Sequence, residues 1–484
     1  MIKLTLIELQ KIFHKKSIYI IILLMQTFCI LNNYLYFRDY DEEGFYKYQT
    51  VENLKKEKNT IKKELNKLDI NSEKDTSIYL NLTSKLEIIS IKEKYPSSSW
   101  QYKEAYNILY ETIYMKNKYK LLLENKETLT SIEKEYNKLL NNLITNNWKY
   151  FIREELTEQQ AYLNELKEKR KTIKDNLELK KIKNEINNTK INIDMLNYRI
   201  NNNVNKNNTY LNKSIEKIID NKKILNSLNN KSNLTKEEKK QKEESRAEIS
   251  MNKYILKHKQ NINKENTTSY ELRTILEDYE LFFIILILIV SSITICEEFT
   301  KGTIKLLLIK PYSRGKILLS KYLACFLVFT ICLMILIVTE LLVGSYFFGI
   351  ENLKLPIIVY NYNKKELMSF SIYTYMIIRI LIKLPFFIMI ETIAFCLSVF
   401  SLSTATSITV PLLIYLFDST IVNITKEKGI KIIYYFINNH WHFENYLWKM
   451  NSELNKSIII YICYFIIIQT LTFCYFKKKN IKNI

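Results

Sequence analysis

Residues 279–296, YELFFIILILIVSSITIC, hold one acid, no base, no proline and no glycine. A helix of roughly 20 mostly apolar residues crosses about 30 Å of hydrocarbon at 1.5 Å per residue. This stretch therefore predicts a membrane span. Working outward, runs of the same kind lie at 17–37, 323–348, 377–400, 404–424 and 457–476. The reading is an all-α, polytopic membrane protein with six transmembrane helices and a large helical insert between spans 1 and 2.

The first span follows Lys3, Lys11, Lys15 and Lys16, as the apolar core of a signal peptide would. Its apolar run is too long for that role and no small-residue cleavage site follows, so it is expected to stay as an anchor. Topology follows the Lys and Arg of short loops. The N-terminal segment, the link Lys301, Lys305, Lys310, Arg314, Lys316 and Lys321, and the tail Lys477, Lys478, Lys479 and Lys482 are basic. Six spans put all three on one side. The expectation is a cell (plasma) membrane protein with both termini cytoplasmic.

The 71 Lys and Arg against 50 Asp and Glu raise the question of nucleic acid, which binds through clustered bases. The middle mixes acids and bases in every turn and shows no Arg-rich or aromatic recognition motif, so nucleic acid is not expected as a partner. Membrane lipid is. All of Cys29, Cys296, Cys325, Cys332, Cys396, Cys463 and Cys474 lie in or beside apolar runs without metal-ligand spacing, which reads them as small hydrophobes.

The insert, 38–278, lies on the extracytoplasmic side in this topology, since long domains translocate largely regardless of their charge. Between Pro96 and Gly302 it contains neither proline nor glycine, a composition suited to long helices. Apolar residues step by three and four at Leu129, Ile132, Tyr136, Leu139 and Leu143. The step recurs at Ile186, Ile193, Leu196 and Ile200, with Thr189 in the stripe, and at Leu211, Ile215, Ile218 and Leu225, with Lys222 interrupting. One apolar stripe per helix predicts coiled-coil-like or bundle packing. Asn-rich stretches at 141–147, 201–208 and 229–233 are the expected turns.

After the second span come Glu298, Phe299, Gly302, Thr303, Lys305, Leu307, Pro311, Ser313 and Arg314. Ile304, Leu307 and Leu308 share a helical face, Lys301 and Lys305 another, and Pro311 stops the run, so a short amphipathic helix is expected over about 298–311. A plainer reading is a basic loop that only fixes topology, but charge alone does not call for Gly302, Thr303 and Pro311.

With Lys316 and Lys321, this pattern resembles the ABC-2 type transporter permeases, particularly those of low-GC Gram-positive bacteria. The resemblance extends to Glu8, Lys11 and Lys15, similar to that family's elbow helix, and to 391–407, similar to its fourth span and the turn into the fifth. It covers both membrane portions and not most of the insert. It implies 1–37 as elbow helix and first span, 38–278 as the extracytoplasmic domain, and 279–484 as spans 2 to 6. It further implies a permease that pairs with a second copy or a sister permease and docks a cytoplasmic ABC ATPase subunit through the 298–311 coupling helix. ATP and Mg would sit on that partner.

No cofactor or metal is expected on this chain. A phosphate-wrapping G-x-x-x-x-G-K-[ST] loop is approached only by Gly344 and Gly349, which Ile350 and Glu351 follow. The chain reads as no enzyme: it lacks H-E-x-x-H and G-x-S-x-G, and its catalytic residues are none. The resemblance implies export of a hydrophobic or peptide-like substrate. The alternative is a non-transporting membrane scaffold or sensor whose coiled-coil ectodomain binds envelope partners.

Ionisable groups within spans cost a few kcal/mol and tend to face a cavity or partner. Glu340, Glu391, Asp418, Arg379 and Lys383 are such intramembrane polar candidates. Arg379 and Lys383 share a face and are expected to snorkel outward. One of Glu340 and Glu391 is expected to pair with a cation across the bundle or to line a route. The segment of about 426–453, with His440, Trp441, His442 and Trp448, reads as an extracytoplasmic interfacial excursion where Trp prefers to sit. Its two histidines and Glu444 do not make a metal ligand set.

Overall fold

The computed structural model describes residues 1–68, 73–122, 125–207, 209–231, 233–262, 264, 267–304, 312–428, 434–446 and 454–479. The described chain is almost wholly helical and divides into two compact units, Met1–Arg38 with Ile262–Ile484, and Asp39–Asn261.

In the first unit, α1 (Ile2–Phe13) precedes α2 (Lys16–Leu65), whose part Lys16–Arg38 is apolar enough to span a membrane. The unit resumes with α10 (Thr268–Asp278), α11 (Glu280–Thr300) and α12 (Arg314–Phe348). An antiparallel hairpin of β1 (Ile357–Asn361) and β2 (Glu366–Phe370) then leads to α13 (Ile372–Ser401). It closes with α14 (Thr404–Leu416), α15 (Asp418–Lys428) and α16 (Leu454–Lys478). Five helices are long and apolar enough to cross a membrane: Lys16–Arg38, α11, α12, α13 and α16. The expected fifth span is not one straight helix, because Thr404–Leu416 and Asp418–Ile424 meet at a bend of 43°.

The most buried of these, α11, forms the centre, with Phe283, Ile284, Leu286, Ile287 and Leu288 all buried. Helices α12, α13 and α14 pack around it. The outermost is α16, only 11% of whose apolar window is buried, against 61% for α11. A helix apolar on every side needs lipid or a membrane neighbour to cover it, so the unit is a polytopic membrane domain.

The second unit holds α3 (Glu73–Lys92), α4 (Trp100–Leu121), α5 (Lys126–Ile144), α6 (Trp148–Thr172), α7 (Asn176–Asn201), α8 (Thr209–Asn229) and α9 (Lys236–His258). Sequential helices pack in pairs. Helix ends fall at the Asn-rich stretches: α5 stops at Ile144, α7 at Asn201 and α8 at Asn229. Ile186, Thr189 and Leu196 of one stripe and Leu211, Ile215 and Ile218 of another are buried. The α5 stripe is only half-buried apart from Leu143. Thr235 opens α9 with a capping box, accepting from the Glu238 N–H while the Glu238 carboxylate accepts from its own N–H.

The compact insert unit ends at Asn261, short of the expected 278. Leu272, Ile275, Leu276 and Tyr279 make α10 amphipathic, and that stripe is buried in the same apolar core as α11 and α12. The polar Glu271, Arg273, Glu277 and Asp278 between them disguised it as the end of the insert.

Candidate functional site

Three segments far apart in sequence meet at the basic end of the membrane unit: α1, the close of α11 and the opening of α12. On α1, Leu4, Glu8 and Ile12 are buried at a spacing of four, so an acid occupies the middle of an inward stripe. On α12, the Lys321 ammonium is 1% exposed and answers it. Lys321 Nζ lies 2.6 Å from Glu8 Oε2 and 2.6 Å from Glu298 Oε2. The first contact is an aligned hydrogen bond; the second is an ion pair without that alignment. Lys11 Nζ closes the ring, donating to Glu8 Oε1 at 2.7 Å and Glu298 Oε1 at 3.1 Å. Beside it, Lys15 donates to Glu297 Oε2 at 2.9 Å, which also lies 3.3 Å from Lys301 Nζ.

Burial alone would push the Glu8 carboxyl up, but Lys321 and Lys11 outweigh it and hold the group below its ordinary value. Burial likewise works against the Lys11 ammonium, and Glu8 and Glu298 more than offset it, raising its value. The ring opens onto a cavity of about 410 Å³ lined by Glu8, Lys11, Lys15, Glu298 and Thr303 among others. Bases and acids here are already matched, so the set has the character of a clasp between elements. Removing one member of such a buried set strands the others, at a cost of about 3–5 kcal/mol.

The residues expected to couple lie around this clasp. Glu298 is within it. Phe299 is buried over Ile295, Ile304, Leu318, Tyr322 and Phe476, and its ring meets that of Phe476 edge-on at 6.4 Å. Gly302 ends α11 with φ of +68°, a conformation open to glycine. Thr303 Oγ1 donates to the Glu298 carbonyl at 3.5 Å. Ser313 caps α12 by accepting from the Lys316 N–H. Arg314 donates to the carbonyls of Lys477 and Lys479 at 3.0 and 2.9 Å, fastening the end of α16 to the start of α12. Lys305, Leu307 and Pro311 lie outside the described residues, and with them most of the expected helix over 298–311.

The intramembrane candidates divide. Arg379 and Lys383 both find acid partners. Arg379 is ion-paired with Glu277, and Lys383 lies 2.5 Å from Glu280 and 3.4 Å from Glu444. The reason is local: acids at the entry to α11 face α13, and a paired cation has no need of outside water. Asp418 stands at the bend between α14 and α15. Its Oδ1 accepts from Asn438 at 2.8 Å and Trp441 at 3.0 Å, and its Oδ2 contacts His442 at 2.7 Å. Trp441 is fully buried against Phe386. His440 bonds Ser457 and the Tyr434 carbonyl. Of the segment 426–453, residues 429–433 and 447–453, Trp448 among them, lie outside the described residues.

Glu340 and Glu391 are both 1% exposed, and neither forms an ion pair among the described residues. Glu340 accepts from Asn33 at 2.9 Å and Cys29 at 3.1 Å. Glu391 leaves Oε1 without a hydrogen-bond partner.

Sequence reading missed the acids that answer Arg379 and Lys383, namely Glu277, Glu280 and Glu444. Glu277 and Glu280 had a signal, since they flank a span facing two bases at a spacing of four; Glu444 had none. Among the described residues no group of three or more His, Cys, Asp and Glu is disposed to hold a metal ion.

Comparison with known proteins finds two likenesses. Residues 244–482 match the model of a family described as "Protein of unknown function (DUF2705)". Over 241 residues the chain is 28% identical to "Uncharacterized protein YhcI" of Bacillus subtilis (strain 168), covering 49% of this chain and 76% of the relative. The family match begins within α9 and takes in α10 to α16. No solved structure matches.

Proposed function

We propose that this chain is the membrane-spanning permease subunit of an ATP-driven transporter of the ABC-2 type. It moves a hydrophobic or peptide-like substrate outward and takes its energy from a separate cytoplasmic ATPase subunit. The observation that carries the reading is the Glu8, Lys11, Glu298 and Lys321 clasp. It ties an amphipathic N-terminal helix to both ends of the connector between α11 and α12. A partner that pushes on the connector thereby moves two spans and the elbow helix together, because displacing any one alone would strand a buried charge. The resemblance of Gly302, Thr303, Ser313 and Arg314 to the family pattern supports the same assignment. The positive-inside rule places this end, with both termini, in the cytoplasm. The insert unit then faces outward.

The test is purification of the tagged chain in mild detergent, identification of the copurifying subunits, and ATP hydrolysis after reconstitution. A Walker-type ATPase is expected in stoichiometric amount. Lys321→Met alone should lose stability by about 3–5 kcal/mol. The neutral triple variant Glu8→Gln, Glu298→Gln, Lys321→Met should fold and keep its ATPase subunit, yet hydrolyse ATP about tenfold more slowly, on the order of 1.4 kcal/mol of lost coupling. Wild-type turnover in that variant, or a complex without any ATPase, would sink the proposal. An envelope protein in the ATPase's place would point to the scaffold alternative.

A further inference from the structure

At the opposite end of α12 from the clasp lies a second polar cluster, assembled by three helices. From α2 come Cys29 and Asn33, one turn apart; α12 supplies Glu340; α10 supplies Glu271 and leads into Tyr279. All five are 3% exposed or less. The helices approach closely here because Gly344, one turn beyond Glu340, has no side chain: a Cβ there would stand 3.1 Å from Thr268 Cγ2 of α10. Thr268 Oγ1 then donates to the Gly349 carbonyl at 2.7 Å.

The hydrogen-bond arithmetic of the cluster does not close. Glu340 accepts from Asn33 Nδ2 on one oxygen and Cys29 Sγ on the other. Asn33 Oδ1 and Glu271 Oε1 are buried and without partners, and the buried Tyr279 hydroxyl lies against the Cys29 thiol. No Lys, Arg or His nitrogen lies within ion-pair distance of Glu271 or Glu340 among the described residues, in contrast to the paired acids at Glu8, Glu280, Glu298 and Glu444. Buried polar atoms are normally satisfied and buried charges paired. Two vacant oxygens in a cluster with two unpaired carboxyl groups therefore call for something positive that oxygen ligands accept.

We propose that this cluster is a binding site for one alkali cation, Na+, held by oxygens of Glu340, Glu271, Asn33 and Tyr279. Hard cations take oxygen ligands, and every vacant atom here is oxygen. Glu271 and Glu340 are both buried and lie among other acids and neutral groups, with no cation of the chain beside them among the described residues. The groups that face the site are Cys29 and Asn33 of α2, Tyr279, Asp278 of α10 and Glu340 of α12. The bound ion joins α2, α10 and α12 at the end of the unit remote from the clasp. This site stands whether or not the chain is a permease.

The test uses the full-length protein in detergent, with thermal unfolding followed in NaCl, KCl and choline chloride at one ionic strength. Na+ is expected to raise the midpoint by about 4 °C over choline at saturation. Glu340→Gln should abolish the shift, and Glu271→Gln should raise the half-saturating Na+ concentration about tenfold. Glu391→Gln, an equally buried acid outside the cluster, should keep the full shift. Retention of radioactive sodium by the wild-type protein, at one ion per chain, is read directly and does not need the variants to fold. Equal midpoints in all three salts, a response to pH without a response to Na+, an undiminished shift in Glu340→Gln, or no retained sodium would each overturn the proposal.

Discussion

His442 stands between two carboxylates, with Nε2 2.7 Å from Asp418 Oδ2 and Nδ1 3.0 Å from Glu444 Oε1. Burial by itself would lower its pKa. The hydrogen bonds and charges of Asp418 and Glu444 outweigh that and raise it from 6.5 to about 9. A group whose value rises on folding contributes fully below its unfolded value and loses that contribution as pH climbs through the folded one. Glu444 runs the other way. Burial raises it, but His442 and Lys383 hold it at about 2, so its contribution is present above 4.5 and fades as pH falls towards 2. Lys383, itself held by Glu280, completes the set. The thermal midpoint in detergent should therefore decline between pH 6.5 and about 9 as the His442 contribution, on the order of 3 kcal/mol, is withdrawn. His442→Gln should flatten that decline. A wild-type midpoint constant over the interval, or an equal slope in the variant, contradicts the assignment. The sequence placed Asp418 inside a span and His442 beside a span, but not against each other. Their meeting depends on the bend after Leu416, which no proline marks, since Pro411 lies within α14.

Between elements, Gly344 sets how closely α10 docks on α12. A Cβ at 3.1 Å from Thr268 Cγ2 asks the threonine to yield by a few tenths of an ångström. Gly344→Ala should thus cost less than about 1 kcal/mol, whereas Gly344→Leu overpacks the crossing at about 1–3 kcal/mol. Trimming the opposing side chain with Thr268→Ala should return part of the loss in the Leu variant. If thermal midpoints show no loss, or no recovery, α10 does not dock as described. In sequence, Gly344 was visible only as half of a failed phosphate-loop spacing, because helix crossings are not written in any local pattern. Spans and insert helices were legible from apolar length and from steps of three and four. The hairpin at 357–370 was not. Its strands are short, β2 has no buried residue, and it hangs between two spans whose hydropathy dominates the window. Likewise the stripe Leu272, Ile275, Leu276 and Tyr279 had helical spacing, but its charged neighbours resembled the insert.

Across the molecule, the membrane unit has polar chemistry at two levels of one helix. Lys321 and Glu340 stand on α12 roughly 28 Å apart at 1.5 Å per residue, close to the thickness of a hydrocarbon core of about 30 Å. The clasp and the cation cluster are thereby placed near opposite interfaces. The proposed orientation takes the clasp end as cytoplasmic, because Lys11, Lys15, Lys301, Arg314, Lys316 and Lys477 belong to that end and basic residues of short loops favour the cytoplasmic side. A thiol at Thr303, in a background with Cys463→Ser and Cys474→Ser, should react with an impermeant maleimide only after cells are permeabilised. A thiol at Lys364, in the exposed turn between β1 and β2, should react in intact cells. The reverse pattern would turn the clasp outward. A cytoplasmic ATPase would then have no route to the connector, and the transport reading would fall while the fold and the cation cluster stood unchanged.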